Sequence, residues 1–237
     1  EASVEVLMNF NSAGFVRCGL IALKMESNHS DPELTDAFFE EPLSSIQGMT
    51  PQQMDIIAGG SYWKDVIADD KLSFAAKEEK ITALYMDKLL EYYSNVCSFP
   101  IREKYYHIPK YRLIYGTRHP DGILLMNNTM YEARERFLKR EFADGKLFDT
   151  RPEEEQKDMV AFTKKLYEIV ETNEPISRKN VTLKAMRDFF CRYNSSDYSN
   201  AIKSLLNGFE GLKLFSKSGR TRINEDELLS TRSFKTS

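Results

Sequence analysis

The sequence holds only three cysteines, Cys18, Cys97 and Cys191, far apart and with no CxxC pair. That spacing excludes a disulfide framework and a zinc ribbon within this chain, and it favours a reducing compartment. No apolar run approaches the roughly 18 residues that span a bilayer, and the opening EASVEVLMNF has neither the charged n-region nor the cleavage site of a signal peptide. A cytoplasmic protein without a membrane partner is therefore expected. The histidines are few (His29, His107, His119) and none forms a pair at metal-ligand spacing, so no metal site is expected. GxSxG, Walker A, GxGxxG and HExxH are all missing. Nucleophilic hydrolysis, P-loop chemistry and zinc proteolysis thus lack support.

What is present is ordinary globular material: 41% hydrophobic, 29% charged and 12% aromatic residues, far from disorder or collagen. Length alone, 237 residues, predicts between one and two domains. The net charge of −3 hides an asymmetry. Between Ile176 and Ile223 ten basic residues face three acidic ones, a balance of +7, so the rest of the chain carries −10. The sequence therefore reads as a basic module joined to an acidic body.

Val4 to Phe10 is a near-continuous, partly β-branched apolar run and predicts a strand buried on both faces. Such a strand needs neighbours, which leads us to expect further chain upstream of Glu1; a short domain that begins with a strand is the alternative. A short helix from Ser12 to Lys24, capped by Ser12, should follow. The acidic stretch to Thr50 predicts a solvated loop with a helical turn at Pro32 to Phe39. Thr50-Pro51 is a cap followed by proline at the first helical position, and Gly59-Gly60 ends that helix. A longer helix is predicted over Phe74 to Val96, with Ile81, Leu84, Tyr85, Leu89 and Tyr92 on one face. Phe99–His107 and Tyr111–Thr117 predict a hairpin turning at Ile108-Pro109-Lys110; the second strand is more apolar and should lie inside the sheet. Ile123 to Phe142 predicts a long helix.

Composition shifts at residues 149–155, DTRPEEE, where the domain boundary is placed. Residues 1–148 form one domain in this reading and 156–237 the other. In the second, helices are predicted over Gln156–Thr172, Thr182–Tyr193 and Asp197–Gly208, followed by a hairpin of Leu212–Phe215 and Thr221–Ile223 around Ser218-Gly219. Three helices and a hairpin give the order of a winged helix-turn-helix domain. If it binds DNA, the third helix presents Tyr198, Ser199, Asn200, Lys203 and Asn207, and the wing presents Lys217, Arg220 and Arg222. A solvated charged face or a protein-interaction module is the competing reading. Two clusters stand at strand ends, where α/β sheets gather ligand groups: Asn9 with Asn11, and Arg118-His119-Pro120-Asp121, for which a plain helix entry with Asp121 near the cap is the alternative.

The segments EVLMNFNSAGFVRC, GGSYWKDVI and YRLIYGTRHPDGILLMNNTMYEAR, within residues 4 to 134, resemble the bacterial three-Cys-motif partner proteins. The basic tail is similar to the winged-helix module of that family. The resemblance implies an α/β fold: the C-terminal part of a Rossmann-like class I methyltransferase sheet, with Val4–Phe10 as its fifth strand and the hairpin as its last two. It implies S-adenosylmethionine as cofactor, with the binding loops upstream of Glu1, and a three-Cys-motif protein as partner. Asn9, Phe10 and Arg17 match positions near the expected cleft; Asn9, Arg17, Arg118 and His119 are the catalytic candidates. Two functions remain open: a methyltransferase-like protein acting on nucleic acid or a partner-bound substrate, and a non-catalytic scaffold for DNA or protein.

Overall fold

The computed structural model describes residues 4–23, 49–148 and 150–234. The predicted acidic loop and its helical turn, with His29, lie outside these residues. The chain is mixed α/β and divides into two compact units, Glu1–His119 and Pro120–Ser237.

The first unit contains β1 (Glu5–Phe10), α1 (Ser12–Ala22), α2 (Pro51–Ala58), α3 (Trp63–Ala68), α4 (Phe74–Leu89), β2 (Asn95–Ile101) and β3 (Tyr111–Thr117). Its sheet has the order β1-β3-β2, and β3 runs antiparallel to both neighbours. β1 and β2 are therefore parallel to each other, connected through helices, with β3 inserted between them by the β2–β3 hairpin. The apolar β3 is the central strand, as its composition predicts. β1 differs from expectation. Among the described residues it pairs on one side only, and Val4 and Leu7 are more than half exposed, so it is an edge strand with one covered face. The hairpin connection is also longer than predicted: β2 already ends at Ile101, where the Ile101 carbonyl accepts from the Lys110 N–H at 2.8 Å.

Local chemistry explains the helices. The Asn11 side chain, rather than Ser12, caps α1: its Oδ1 accepts from the Gly14 N–H at 2.9 Å. A Cβ at residue 14 would lie 2.6 Å from the Asn11 amide, so glycine is what lets the cap fold over the first turn. Thr50 and Gln53 form the reciprocal bonds of a capping box on α2, Pro51 opens it, and Gly59 closes it at φ +67°. Val16, Trp63, Ile67, Ile81 and Ile114 are completely buried in one core. Helix α1 approaches α3 closely at Gly19, where a Cβ would sit 2.9 Å from Ile67 Cγ1. The Trp63 indole donates to Asp55 at 2.8 Å, and Lys64 pairs with the same carboxylate at 2.8 Å. Beneath α1, Glu78 accepts from the Ser12 hydroxyl and from Arg112 at 2.7 and 2.8 Å, a bidentate pair.

The second unit contains α5 (Pro120–Phe142), α6 (Met159–Asn173), β4 (Ile176–Ser177), α7 (Arg178–Phe189), α8 (Ser195–Asn207), β5 (Phe215–Ser216) and β6 (Leu228–Ser230). Its small antiparallel sheet has the order β4-β6-β5. The division between units falls before α5, whereas the composition shift sits at 149–155. A buried side chain ties α5 to the second unit. Asn127 of α5 accepts from the Cys191 N–H at 2.8 Å and donates to the Tyr193 carbonyl at 2.9 Å. Asn128 bonds Ser195 as well. A polar linker and a packing boundary are thus different things in this chain.

Candidate functional site

At the end of β1 the chain turns into α1, and a cavity of about 500 Å³ opens there, within the range of small-molecule sites. Its apolar walls include Phe10, Phe15, Met49, Ile57, Ile108 and Pro109; its polar lining includes Asn9, Asn11, Arg17 and Lys110. Phe10 stacks on Tyr85 at 4.6 Å and Phe15 meets Trp63 edge-on at 6.1 Å, so these walls are held by the core behind them. Asn11 at the cap of α1 and Gly14 and Cys18 on the helix follow one another at spacings of three and four, with Arg17 beside them. Arg17 is 7% exposed, and burial lowers its pKa against an opposing contribution from Cys18. It stays charged, since even a lowered guanidinium titrates far above neutrality.

The two clusters singled out at strand ends do not meet. Phe10 pairs with Arg112 and Glu5 with Thr117, so Asn9 and Arg17 lie at one end of the sheet and Arg118 and His119 at the other, about 17 Å away along β1. The carboxyl ends of the parallel strands β1 and β2 are at the cavity, which is where α/β sheets gather ligands. Arg118 and His119 follow the carboxyl end of the antiparallel strand instead. Both are exposed; Arg118 donates to the Tyr92 carbonyl at 2.9 Å and the His119 N–H donates to Thr117. Asp121 is ion-paired with Lys179. The cavity thus holds two of the four catalytic candidates, Asn9 and Arg17.

Cys18 lines this cavity and is the partly exposed cysteine, whereas Cys97 and Cys191 are buried. Burial raises the Cys18 thiol, opposed by a backbone hydrogen bond from Met49 and by Arg17. A raised thiol is less ionised at neutral pH, and only the thiolate attacks. Under native conditions one thiol of the three should react with Ellman's reagent, and its rate should still be climbing above pH 9; a rate that levels off near pH 8 would contradict this environment.

In the second unit, α8 begins behind Asn194, whose side chain and that of Asp197 form a capping box. Tyr198 does not face outward. It is 2% exposed and meets Phe162 edge-on at 5.0 Å, because at this helical position the apolar stripe with Ala201, Ile202 and Leu205 turns inward. Ser199 is half-buried under the Arg178 guanidinium. Ser196, Asn200, Lys203 and Asn207 are exposed at spacings of four, three and four, one polar stripe without an acid.

The wing also differs from the sequence reading. Its second strand is Leu228–Ser230 rather than Thr221–Ile223, so the loop between β5 and β6 runs over residues 217–227. Lys217, Arg220 and Arg222 are exposed at its tip, which turns at Gly219 with φ +71°. Glu225, Asp226 and Glu227 form its returning arm, where the carbonyls of Glu225 and Glu227 accept from the Lys179 and Arg178 N–H groups. Extending the basic window across this arm lowers its balance from +7 to +4. Among the described residues no acidic side chain pairs with Lys203, Lys217, Arg220 or Arg222.

Among the described residues, no three His, Cys, Asp or Glu side chains cluster to hold a metal ion, and no helix is long and apolar enough to cross a membrane. Comparison of the chain with protein-family models, with curated proteins and with solved structures finds no match.

Proposed function

We propose that this chain binds duplex DNA through a winged helix in its C-terminal unit, and that its N-terminal unit is part of a methyltransferase-like domain of the three-Cys-motif partner type. The observation that carries the DNA reading is the Asn200, Lys203, Asn207 stripe of α8, which bears no acid, together with the exposed Lys217, Arg220 and Arg222 of the wing loop, whose acids follow on its returning arm. Helix, strand, two helices and two strands, with the first strand beside the last, support a winged helix. Amide side chains on the second helix of a tight helix pair suit base edges, and loop cations suit phosphates.

For the N-terminal unit, the support is its sheet. Two parallel strands joined through helices, with an antiparallel strand inserted between them, suit the closing edge of an otherwise parallel sheet. S-adenosylmethionine does not fit the cavity described above. Its sulfonium and its ribose hydroxyls call for carboxylates and acceptors, whereas Arg17 and Lys110 line the cavity and no carboxylate does among the described residues. In this reading the methyl donor and the three-Cys-motif partner rest on the family resemblance, and no catalytic step is assigned to these residues.

Fluorescence anisotropy with a labelled 20-base-pair duplex, over a salt series from roughly 50 to 300 mM, tests the DNA reading. Replacing Lys217, Arg220 and Arg222 by alanine together should weaken binding by about 10- to 50-fold at low salt. The slope of log affinity against log salt should become shallower by up to about three, close to one per lost phosphate contact. Unchanged affinity and slope in the triple variant would refute it.

A further inference from the structure

The exposed stripe of α8 carries amides as well as charge. At about 100° per residue, Asn200 and Asn207 stand within about 20° of each other on the helix, opposite the buried Tyr198, Ala201 and Leu205. Both are exposed, and among the described residues neither side chain has a hydrogen-bond partner. By contrast, Asn127, Asn128, Asn173 and Asn194 of the same unit all bond within the fold. Asparagine is a poor helix former, and Asn200 stands in the interior of α8 with neither a cap nor packing to offset that. Local rules are broken in this way chiefly at functional positions. The roll of the helix is fixed from several sides. Ser195 bonds Asn128 of α5, Ser199 accepts from Arg178 at 2.7 Å, and Asp197, the single acid of α8, is held in the cap and paired with Lys157 at 2.6 Å. The two amides are thus presented in one direction with the acid withdrawn.

An asparagine amide offers an acceptor and a donor side by side. In the major groove adenine presents the matching pair, an N6 amino group that donates and an N7 that accepts, whereas guanine sets two acceptors there. Resting on the DNA reading above, we infer that Asn200 and Asn207 are specificity residues that each read one adenine, so that the ligand of this unit is a duplex with A·T pairs at two defined positions. Seven residues of helix rise by about 10 Å, which sets the two adenines roughly three base-pair steps apart. Lys203 stands about 50° off the line of the two asparagines, a direction that suits the phosphates at the groove edge.

The test is selection by the full chain from a library of DNA duplexes whose randomised core spans about one helical turn, followed by anisotropy measurements on the selected duplexes. These should share two A·T pairs roughly three steps apart, and exchanging either pair for G·C should weaken binding about tenfold, as loss of one bidentate base contact does. Asn200→Ala should abolish discrimination at one of the two pairs and Asn207→Ala at the other, each weakening the selected duplex about tenfold. Affinity for an all-G·C duplex and the salt slope should stay those of the wild type, which separates base reading from a structural role, since a structural fault would weaken every duplex. Alanine is the better helix former, so the unfolding temperature of Asn200→Ala should not fall. Equal affinity for every duplex, a preference for G·C at these positions, or full A·T discrimination retained in Asn200→Ala would overturn the inference while leaving the DNA reading standing. An RNA duplex bound as tightly as the selected DNA would overturn it as well, because the A-form major groove does not admit side chains. Failure to bind any duplex would sink the DNA reading and this inference with it.

Discussion

Glu78→Ala is expected to destabilise the N-terminal unit by about 3–5 kcal/mol, the cost of leaving one member of a buried ion pair without its partner. Glu78 is 1% exposed and holds together three elements that are far apart in sequence: α4, which carries it, the start of α1 through Ser12, and β3 through Arg112. Removing its carboxylate strands the Arg112 guanidinium, whose side chain is 13% exposed, and leaves the buried Ser12 hydroxyl with no acceptor there. Arg112→Ala should cost a similar amount by leaving the carboxylate buried. Replacing both residues by methionine should be far milder than the sum of the single changes, since the paired desolvation cost disappears along with the pair. Trp63 is the only tryptophan in the sequence and is completely buried in this unit, so urea unfolding followed by its fluorescence reports the transition directly. Single variants within about 1 kcal/mol of the wild type would show that the pair contributes no more than an exposed one.

Phe162→Ala should have an effect of the same size in the C-terminal unit, about 3–5 kcal/mol for deleting a buried aromatic ring. Phe162 stacks on Tyr193 at 3.8 Å and meets Phe189 at 5.3 Å and Tyr198 at 5.0 Å, so one deletion removes contacts from α7, α8 and the turn between them. The cavity left behind has little chance to collapse, because its other walls are themselves rings held in fixed orientations. Tyr198→Phe provides the contrast. The Tyr198 hydroxyl meets no hydrogen-bond partner among the described residues, so its removal should leave both stability and duplex affinity within about 0.5 kcal/mol of the wild type. Denaturant unfolding followed by far-ultraviolet circular dichroism measures both variants. A large loss of DNA binding in Tyr198→Phe would return that residue to the interface, which its burial excludes.

Several elements were legible because their determinants are local. Helix α2 has its cap, its first-turn proline and its closing glycine in sequence, and both ends fall where those residues put them. The strand Tyr111–Thr117 matches its expectation residue for residue, and its apolar composition was enough to make it central. Other elements depend on partners. The helical pattern of α4 continues on paper to Val96, but the helix stops at Leu89, and Asn95–Ile101 pairs with β3 instead. β1 pairs with β3 over six residues, yet only one of its faces is covered among the described residues, and Leu7 stays exposed. In the second unit Tyr198 looks like an interface aromatic until α8 is rotated by the demands of Ala201, Ile202 and Leu205. Its inward spacing was present in the sequence; the outward assignment followed residue type rather than periodicity. For the cavity, Asn9, Phe10 and Arg17 could be placed near a cleft, while Lys110 and Ile108 could not, since they arrive from the hairpin some hundred residues later.

By itself, then, the sequence determined the ordinary composition, the spacing of its cysteines, the presence of both helices and strands, and the caps that start and stop several of them; the caps depend only on side chains within four residues of one another. It also showed an acidic body and a basic segment. Only the tertiary structure decided that α5 belongs with the C-terminal unit and that Asn9 and Arg118 sit at opposite ends of one sheet. It also decided that the basic tip of the wing is followed by an acidic arm fixed to α7. Those outcomes turn on which buried polar groups find partners, such as Asn127 and Glu78, and on strand register. Both are long-range properties: a hydrogen bond across 64 residues is invisible to any local pattern, yet leaving it unmade costs more than local propensities can offset.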